Sequence, residues 1–598
     1  MPSRLLHFKL SPWEGGLNTS LDPALIPPQQ CTTLDNVVFG ERSSRKKRDG
    51  IDHSWDYGTI TGNTAANPTV ISSTAHGLAT NDQVVITGSN STPTIDGTYT
   101  VTVTGANTFT IPVNVSNAGT AGKWRLNNGS TSILKLHDFW YDSSGKTQLV
   151  LGVASDRSVY KYSAGARTKL TDTGTAWSGT LTSVSAITFN NRAIIACSGS
   201  GNVVKMYDGT TLTDLSGTPP QASIVQTHLG RIWTNDKTNP DRIHYSPVAD
   251  HTQWNGAGDS GAFDIGKGDG DPEGITAIFP SFKGELFVAK KTKLYRISGL
   301  YPETFEVRLV SSGIGCVSHN AVAAIDQDDI FFVSEKGVHS LAATANYGDF
   351  EASYVSLDIQ KTFNEDLDQS RLKYIQAAYL PNLNSVAFGV TEETSSGRSL
   401  TTTAVNNTLY LYNIYKKAWY RWPDLPCSSV SVVSDSDRKR FYFGTHNTRV
   451  SKSFNSTNYD VSKSGSNLPI RFKIVSGLIY PDNDPYTVKK LRKFVLYYRP
   501  QGTHTITAQV KVDSKTVSTA NLLSFSDTGG ADLLGSTFIL GTSVLGYDVN
   551  LGAYTRTVDG RGRGFRVTIE QTGTDESADI QGIGLIFEPA GASSETNA

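Results

Sequence analysis

Through the middle of the chain one pattern recurs: an apolar run, a turn built from Gly, Asp, Lys or Asn, then a second run that carries an aromatic side chain. It is found as LVLGVASDRSVYKY, AIIACSGSGNVVKMYDG, RIWTNDKTNPDRIHYS, LFVAKKTKLYRISG, IFFVSEKGVHSL, LYLYNIYKKAWYRW and RKRFYFGTHNTRVSK. Each copy predicts two strands joined by a tight turn. Anchored on Tyr160, Tyr207, Tyr245, Tyr295 and His339, the spacings are 47, 38, 50 and 44 residues. That is the length of one blade in a β-propeller of four-stranded sheets. The next anchor, Tyr412, lies 73 residues on, and the excess holds DIQKTFNEDLDQSRLKYIQAAYL. There Ile359, Phe363 and Leu367 recur every fourth residue, which predicts a short helical excursion interrupting one blade. Radial repetition buries each sheet between its neighbours, so the strands need not be strongly hydrophobic.

Other patterns flank this region. From about Tyr57 to Lys123 the chain turns to Thr, Asn, Ser, Gly and Val, in runs such as DQVVITG, GTYTVTVTG and NTFTIPV. Val84, Ile86, Tyr99, Val101, Val103, Phe109 and Ile111 take alternate positions, the period of half-buried strands. A small inserted β domain is expected. Beyond Leu468 the strands lengthen, as in PIRFKIVSGLIY, KLRKFVLYYR, THTITAQVKV, GFRVTIEQTG and IQGIGLIFEP, which reads as a small antiparallel sandwich. The opening residues are crowded with turn formers, among them Pro12, Gly15, Gly16, Pro23, Pro27 and Pro28, and predict an extended arm packed on its own or a neighbouring surface. The whole reads as all-β: an N-terminal arm (1–57), a Thr/Ser-rich insert (58–124), a β-propeller of about six to eight blades (125–465), a C-terminal β-sandwich-like domain (466–590) and a frayed tail (591–598).

Length and charge agree. A chain of 598 residues is too long for one compact core. Lys plus Arg numbers 54 against 55 for Asp plus Glu, so the whole-chain balance gives no reason to grip nucleic acid or anionic lipid. The one strong charge cluster is Arg42, Arg45, Lys46, Lys47 and Arg48 in the arm. It reads as a solvated loop, or as a contact for an acidic partner or phosphates, and it supplies the candidate assembly-interface residues. Cys31, Cys197, Cys316 and Cys427 are far apart in sequence and read as reduced packing residues. No signal-peptide core and no apolar run of membrane-spanning length is found, so no membrane span is expected.

Candidate chemistry is sparse. Asp172, Gly174 and Trp177 match part of one Asp-box of the glycan-cleaving propellers, but a single partial copy also makes an ordinary hairpin turn. A glycosidase needs two carboxyls facing across a bond, and no pair is singled out by spacing. GxSxG, HExxH and GxxxxGK[ST] are all absent. Asp264, Asp269, Asp271 and Glu273 crowd the loop DIGKGDGDPEG, where they could offer oxygens to calcium, although the spacing departs from an EF-hand and favours a tight turn. Trp419, Tyr420 and Trp422 could stack on a sugar or base, or be buried between blades. No catalytic residue and no cofactor is expected, and the chain is read as not an enzyme.

Three stretches together resemble the nozzle proteins of short-tailed bacteriophages, the tail tubular protein B family, and related head-to-tail propellers. They are GGLNTSLDPALIPPQQCTTLDNVVFGERSSRKKRDG, KGDGDPEGITAIFPSFKGELFVAKKTKLYRISG and SSGIGCVSHNAVAAIDQDDIFFVSEKGVHSL. The resemblance is one of turns and strands over about a sixth of the chain, and residues 57–123 depart from it. It implies a structural protein of the virion tail, made in the host cytoplasm. Copies of it, six by the resemblance, form a ring below the adaptor and portal, with tail fibres as a further contact. The genome DNA passes along the ring axis without sequence-specific binding. A receptor-binding tail component and a glycan-cleaving propeller are the competing readings.

Overall fold

The computed structural model describes residues 5–589 apart from 41–43, 52–56, 128–130, 143–145, 164–165, 272, 326–327, 343–353, 394–405, 436–437, 446–449, 454–456, 462–466, 500–504, 514–521, 527–551 and 575. The expected tail at 591–598 lies outside these residues.

From Ile133 to Lys452 seven antiparallel sheets follow one another along the chain. Their first strands are Ile133–Asp142, Val184–Phe189, Val225–His228, Ala277–Ile278, Val322–Ile325, Gln376–Leu380 and Ser429–Asp435. The seventh sheet closes on the first. The Ile133 amide donates to the Thr445 carbonyl at 3.2 Å, the Ser428 hydroxyl donates to the Ile133 carbonyl at 2.6 Å, and Val433, Tyr442 and Val450 pack on Leu136, Tyr160 and Tyr162. These blades form a β-propeller domain. The anchors Tyr160, Tyr207, Tyr245, Tyr295, His339 and Tyr412 all fall on the third strand of successive blades. Five of these six are buried; Tyr207, for example, meets Phe139 of the preceding blade with ring centroids 6.0 Å apart. The periodicity in sequence is thus one side chain per blade wedged against a neighbour.

The inserted segment folds into two four-stranded sheets, one of them built on Lys123–Leu126 and Gln83–Thr87, the other on Thr69–Ser72 and Thr108–Ile111. They enclose a separate core of Ile71, Val84, Ile86, Phe109, Ile111 and Trp124. Asp82 of this module takes an ion pair from Arg167 on the outer strand of blade 1, which fixes the module to the propeller.

Among the described residues of the first 57, the arm packs on its own chain as short strands that enter both of the C-terminal sheets. Leu6–Leu10 and Arg45–Lys47 share one edge of Asp579–Pro589, and Val37–Phe39 extends that sheet. Cys31–Asp35 pairs antiparallel with Phe472–Ser476 on one side and, through Asp35 and Arg421, parallel with the outer strand of blade 6 on the other. The result is a nine-stranded sheet that runs from the inner strand of blade 6 into the C-terminal strands. Turn formers dominate the composition of this segment, which hides its short strands. Exposed sheet edges in the C-terminal domain are what draw them in.

This junction is tightly fitted. A Cβ added at Gly16 would lie 2.7 Å from the Trp419 nitrogen, so only glycine lets the backbone approach blade 6 this closely. Arg421 binds Asp35 through Nε at 2.8 Å and Nη2 at 3.0 Å, and its Nη1 reaches Glu392 at 3.2 Å. Burial would depress the Arg421 pKa, but the two carboxylates outweigh it and hold it raised. Buried Tyr410 also donates its hydroxyl to Glu392. The expected helical excursion is present as short 3-10 and π turns, Leu357–Ile359, Thr362–Asp366 and Gln369–Tyr374, with Ile359, Phe363 and Leu367 buried. It docks on the N-terminal segment: the Asp358 carbonyl accepts from the Thr19 amide at 2.8 Å and its carboxylate from Gln30 at 3.1 Å.

Buried cations lock turns within and between neighbouring blades. Lys205 Nζ, fully buried, meets Asp172 and Asp214 at 2.8 Å each. Arg231 meets Asp259 at 2.6 Å. Lys290, also buried, reaches from blade 4 to Asp241 at 2.7 Å and Asp269 at 3.2 Å in the turns of blade 3. Burial pushes the Asp269 carboxyl up, but the Tyr295 hydroxyl, the Asp271 amide and Lys290 outweigh it and bring it to about 2.

Two outcomes follow from these contacts. Arg421→Ala leaves Asp35 and Glu392 facing each other without a cation and is expected to cost about 2–4 kcal/mol in urea unfolding, whereas half-buried Lys46→Ala stays within about 0.5 kcal/mol. The Asp269 carboxyl has a folded pKa below its ordinary 3.8, so its contribution is present above about pH 4 and lost as pH falls toward 2. Asp269→Asn is therefore expected to lower stability at neutral pH and to flatten the acid limb of a stability-against-pH curve; an unchanged acid limb contradicts the assignment.

Candidate functional site

The basic run is structural rather than solvated. Arg45 lies over Trp13, 4.2 Å from the ring centroid, and donates to Cys31 Sγ at 3.0 Å and to the carbonyls of Gly15 and Gln29. Burial lowers its pKa. Lys47 donates to Gln571 at 2.6 Å and to the Glu576 carbonyl at 2.7 Å. Arg48 forms a two-pronged pair with Asp460 at 2.8 and 2.5 Å. Arg45 and Lys47 are buried and Lys46 partly open because alternation along the strand Arg45–Lys47 sends every second side chain inward, whereas Arg48, just past the strand, is buried by its pair with Asp460. The expectation of a solvated basic loop is corrected on this ground: three of its charges are consumed inside the chain. Arg42 lies outside the described residues.

The acidic loop is likewise committed. Asp264 pairs with Arg242 at 2.8 Å, Asp269 with Lys290, and Glu273 with Lys291 at 3.4 Å. Asp271 accepts from the amide and hydroxyl of Thr292 at 2.9 and 2.7 Å. The Lys-rich hairpin that follows the loop in sequence thus supplies the positive charge that a calcium ion would. In the partial Asp-box, Asp172 accepts from the Gly174 amide at 3.0 Å and from Lys205, while the Trp177 indole donates to the Val203 carbonyl at 2.7 Å. This is a turn clamp. Trp419, Tyr420 and Trp422 are buried, and each spends its polar atom on the protein: on the Val355 carbonyl, the Ser385 hydroxyl and the Val37 carbonyl. All four cysteines are free and buried.

The axis of the propeller holds the most site-like geometry. Here the inner strands converge on a cavity of about 340 Å³ to which every blade contributes: Lys135 and His137, Thr188, Gln226 and Thr227, Pro280, Val322, Gln376, and Val430. A second cavity of about 320 Å³, lined by Ser183, Ser223, Thr276 and Lys373 among others, shares His319 and Asn320 with the first. These two residues sit on a single 3-10 turn, His319–Ala321, capped by the Ser318 hydroxyl accepting from the Asn320 amide. Asn320 bridges the hub: its amide donates to the Val184 carbonyl at 3.1 Å, and its oxygen accepts from Lys135 Nζ at 3.2 Å.

Burial dominates the electrostatics there. It lowers Lys135 to about 8, and burial with the added repulsion of Lys135 brings both His137 and His319 to about 3, so at neutral pH the lysine is charged and the imidazoles are not. His137 Nε2 lies 2.8 Å from the Thr188 hydroxyl. None of these hub residues is marked by a sequence motif. The one local signal is a serine placed to cap a short polar turn at the start of a blade.

No family model matches this chain, and no curated protein matches it either. Among solved structures it is similar to the WD40 β-propeller domain of Doa1, at 12% identity over 55% of this chain and 97% of that one, with a TM-score of 0.34. YCF48 bound to D1 peptide matches at 11% identity over 55% and 95% of the two chains, with a TM-score of 0.32. BBS1N in complex with ARL6DN matches at 11% identity over 55% and 93%, with a TM-score of 0.35. Superpositions this loose carry no argument of their own; the propeller domain rests on the blade topology described above.

Proposed function

We propose that this chain is a structural protein of a short-tailed phage virion, a nozzle subunit whose ring lies below the adaptor and portal and through which genome DNA leaves. One observation carries the reading. The three stretches that resemble the nozzle family are the segments that make the molecule's joints: the first forms the strands between blade 6 and the C-terminal strands, the second the Asp269–Lys290 clamp of blades 3 and 4, and the third blade 5 with the Asn320 bridge across the hub. A likeness that takes in these joints together with strands of blades 4 and 5 fits a part selected for its rigidity.

Passage of DNA through a single propeller is not part of the proposal. The cavities that share Asn320 measure a few hundred Å³, whereas the major groove alone of a duplex is about 12 Å wide. The conduit is the axis between subunits.

A second reading, a receptor-binding tail component, is favoured by the inserted module, which has its own core and, over residues 58–124, only Asp82, Asp96 and Lys123 as charged side chains. The two readings separate by experiment. For a nozzle, native mass measurement of the purified chain mixed with portal and adaptor gives a closed ring of about six copies, by the resemblance, and removal of residues 58–124 leaves that ring intact. A chain that stays monomeric beside its adaptor rejects the nozzle. Loss of adsorption without loss of particles, on removing the module, favours the receptor-binding role.

A further inference from the structure

Deeply buried lysines and arginines in this protein have a consistent habit: each is neutralised or closely solvated by the chain itself. Lys205, Lys290 and Lys489 meet carboxylates at 2.7–2.8 Å, Arg231 meets Asp259, and Arg45 and Lys47 are wrapped by carbonyl or amide oxygens. Lys135, partly buried at the wall of the axial cavity, does not share the habit. Its ammonium, with three donors to place, bonds one neutral acceptor, the Asn320 side-chain oxygen at 3.2 Å. Among the described residues no Asp or Glu lines the cavity beside it or the second cavity that shares Asn320, which adds another lysine, Lys373. A partly desolvated charge with no counter-charge beside it carries a cost, and the cavity next to it is large enough for a small molecule.

We propose that the axial cavity bounded by Lys135, His137, Gln226, Thr227, His319 and Gln376 binds a small oxyanion, a phosphate- or carboxylate-bearing molecule, with the Lys135 ammonium as its counter-charge. The other groups at the wall suit this ligand. Gln226 and Gln376 bring amide donors, Thr227 a hydroxyl, and the two imidazoles one N–H each in the neutral form. The imidazoles are held neutral first by burial and then by the charge of Lys135; a bound anion opposes both and draws protons onto them. Each blade contributes to the wall, so occupancy would tie all seven to one ligand and stabilise the ring of blades as a unit. The site is independent of the nozzle reading, because it concerns the interior of one subunit.

The test uses the full-length chain and inorganic phosphate. Thermal unfolding is followed across a phosphate titration against sodium chloride at matched ionic strength. The expected result is a saturable rise in Tm with phosphate alone, with affinity reduced by roughly tenfold or more in Lys135→Met. No saturable rise over chloride, or an equal rise in Lys135→Met, overturns the proposal. Should Lys135→Met fail to fold, Gln376→Leu and Thr227→Val keep the lysine and remove neutral donors; each is expected to weaken phosphate binding several-fold, and unchanged affinity in both counts against the site. Acetate in place of phosphate separates a carboxylate ligand from a phosphate one. A single-stranded oligonucleotide that produces the same Lys135-dependent rise refutes a small-anion site in favour of a polymer contact.

Discussion

Unpaired strand edges are the constraint on which this architecture turns. A propeller protects its edges by radial packing, but the C-terminal sheets offer one edge at Phe472–Ser476 and another at Asp579–Pro589. The N-terminal residues fill both. In doing so they turn two bodies into one, because Cys31–Asp35 also pairs with the outer strand of blade 6. Main-chain pairing sets the position, and Arg421 between Asp35 and Glu392 sets the register. Domains joined by a linker would swing; these share a sheet.

Parts of this were legible in the sequence because they rest on periodicity. The aromatic anchors Tyr160 to His339 mark the third strand of each blade, since that position always needs a large side chain against its neighbour. Alternation at Val84, Ile86, Phe109 and Ile111 marks the inserted module for the same reason. The N-terminal strands escaped. Val37–Phe39 and Arg45–Lys47 are three residues long, too short to show a period, and the second is written entirely in basic residues. A run of Arg and Lys ordinarily signals solvent, and only the partners reveal otherwise: backbone carbonyls for Arg45 and Lys47, and Asp460, more than four hundred residues away, for Arg48.

The candidate site was hidden for a different reason. Its residues come one or two per blade and acquire meaning only when a ring brings Lys135 beside Asn320 and Gln376. No local spacing encodes such a meeting. Conversely, the clusters that were conspicuous in sequence, DGD with its lysines and the partial Asp-box, are self-contained turns in which acid and base satisfy each other. Local density of charge marked structure here, and dispersed polarity marked the hub.

The pairing of Leu6–Leu10 with Ile583–Phe587 has a temporal side. At about 5–20 residues per second of synthesis, some 30–120 s separate the emergence of these partners from the ribosome. Throughout that interval the blades complete themselves in order while the earliest strands have nothing to hold. Their short length, and the prolines Pro12, Pro23, Pro27 and Pro28 that interrupt the segment between them, then serve as protection, since such segments make poor templates for the wrong neighbour. The composition that disguises these strands from a reader of the sequence also keeps them from associating before their partner exists.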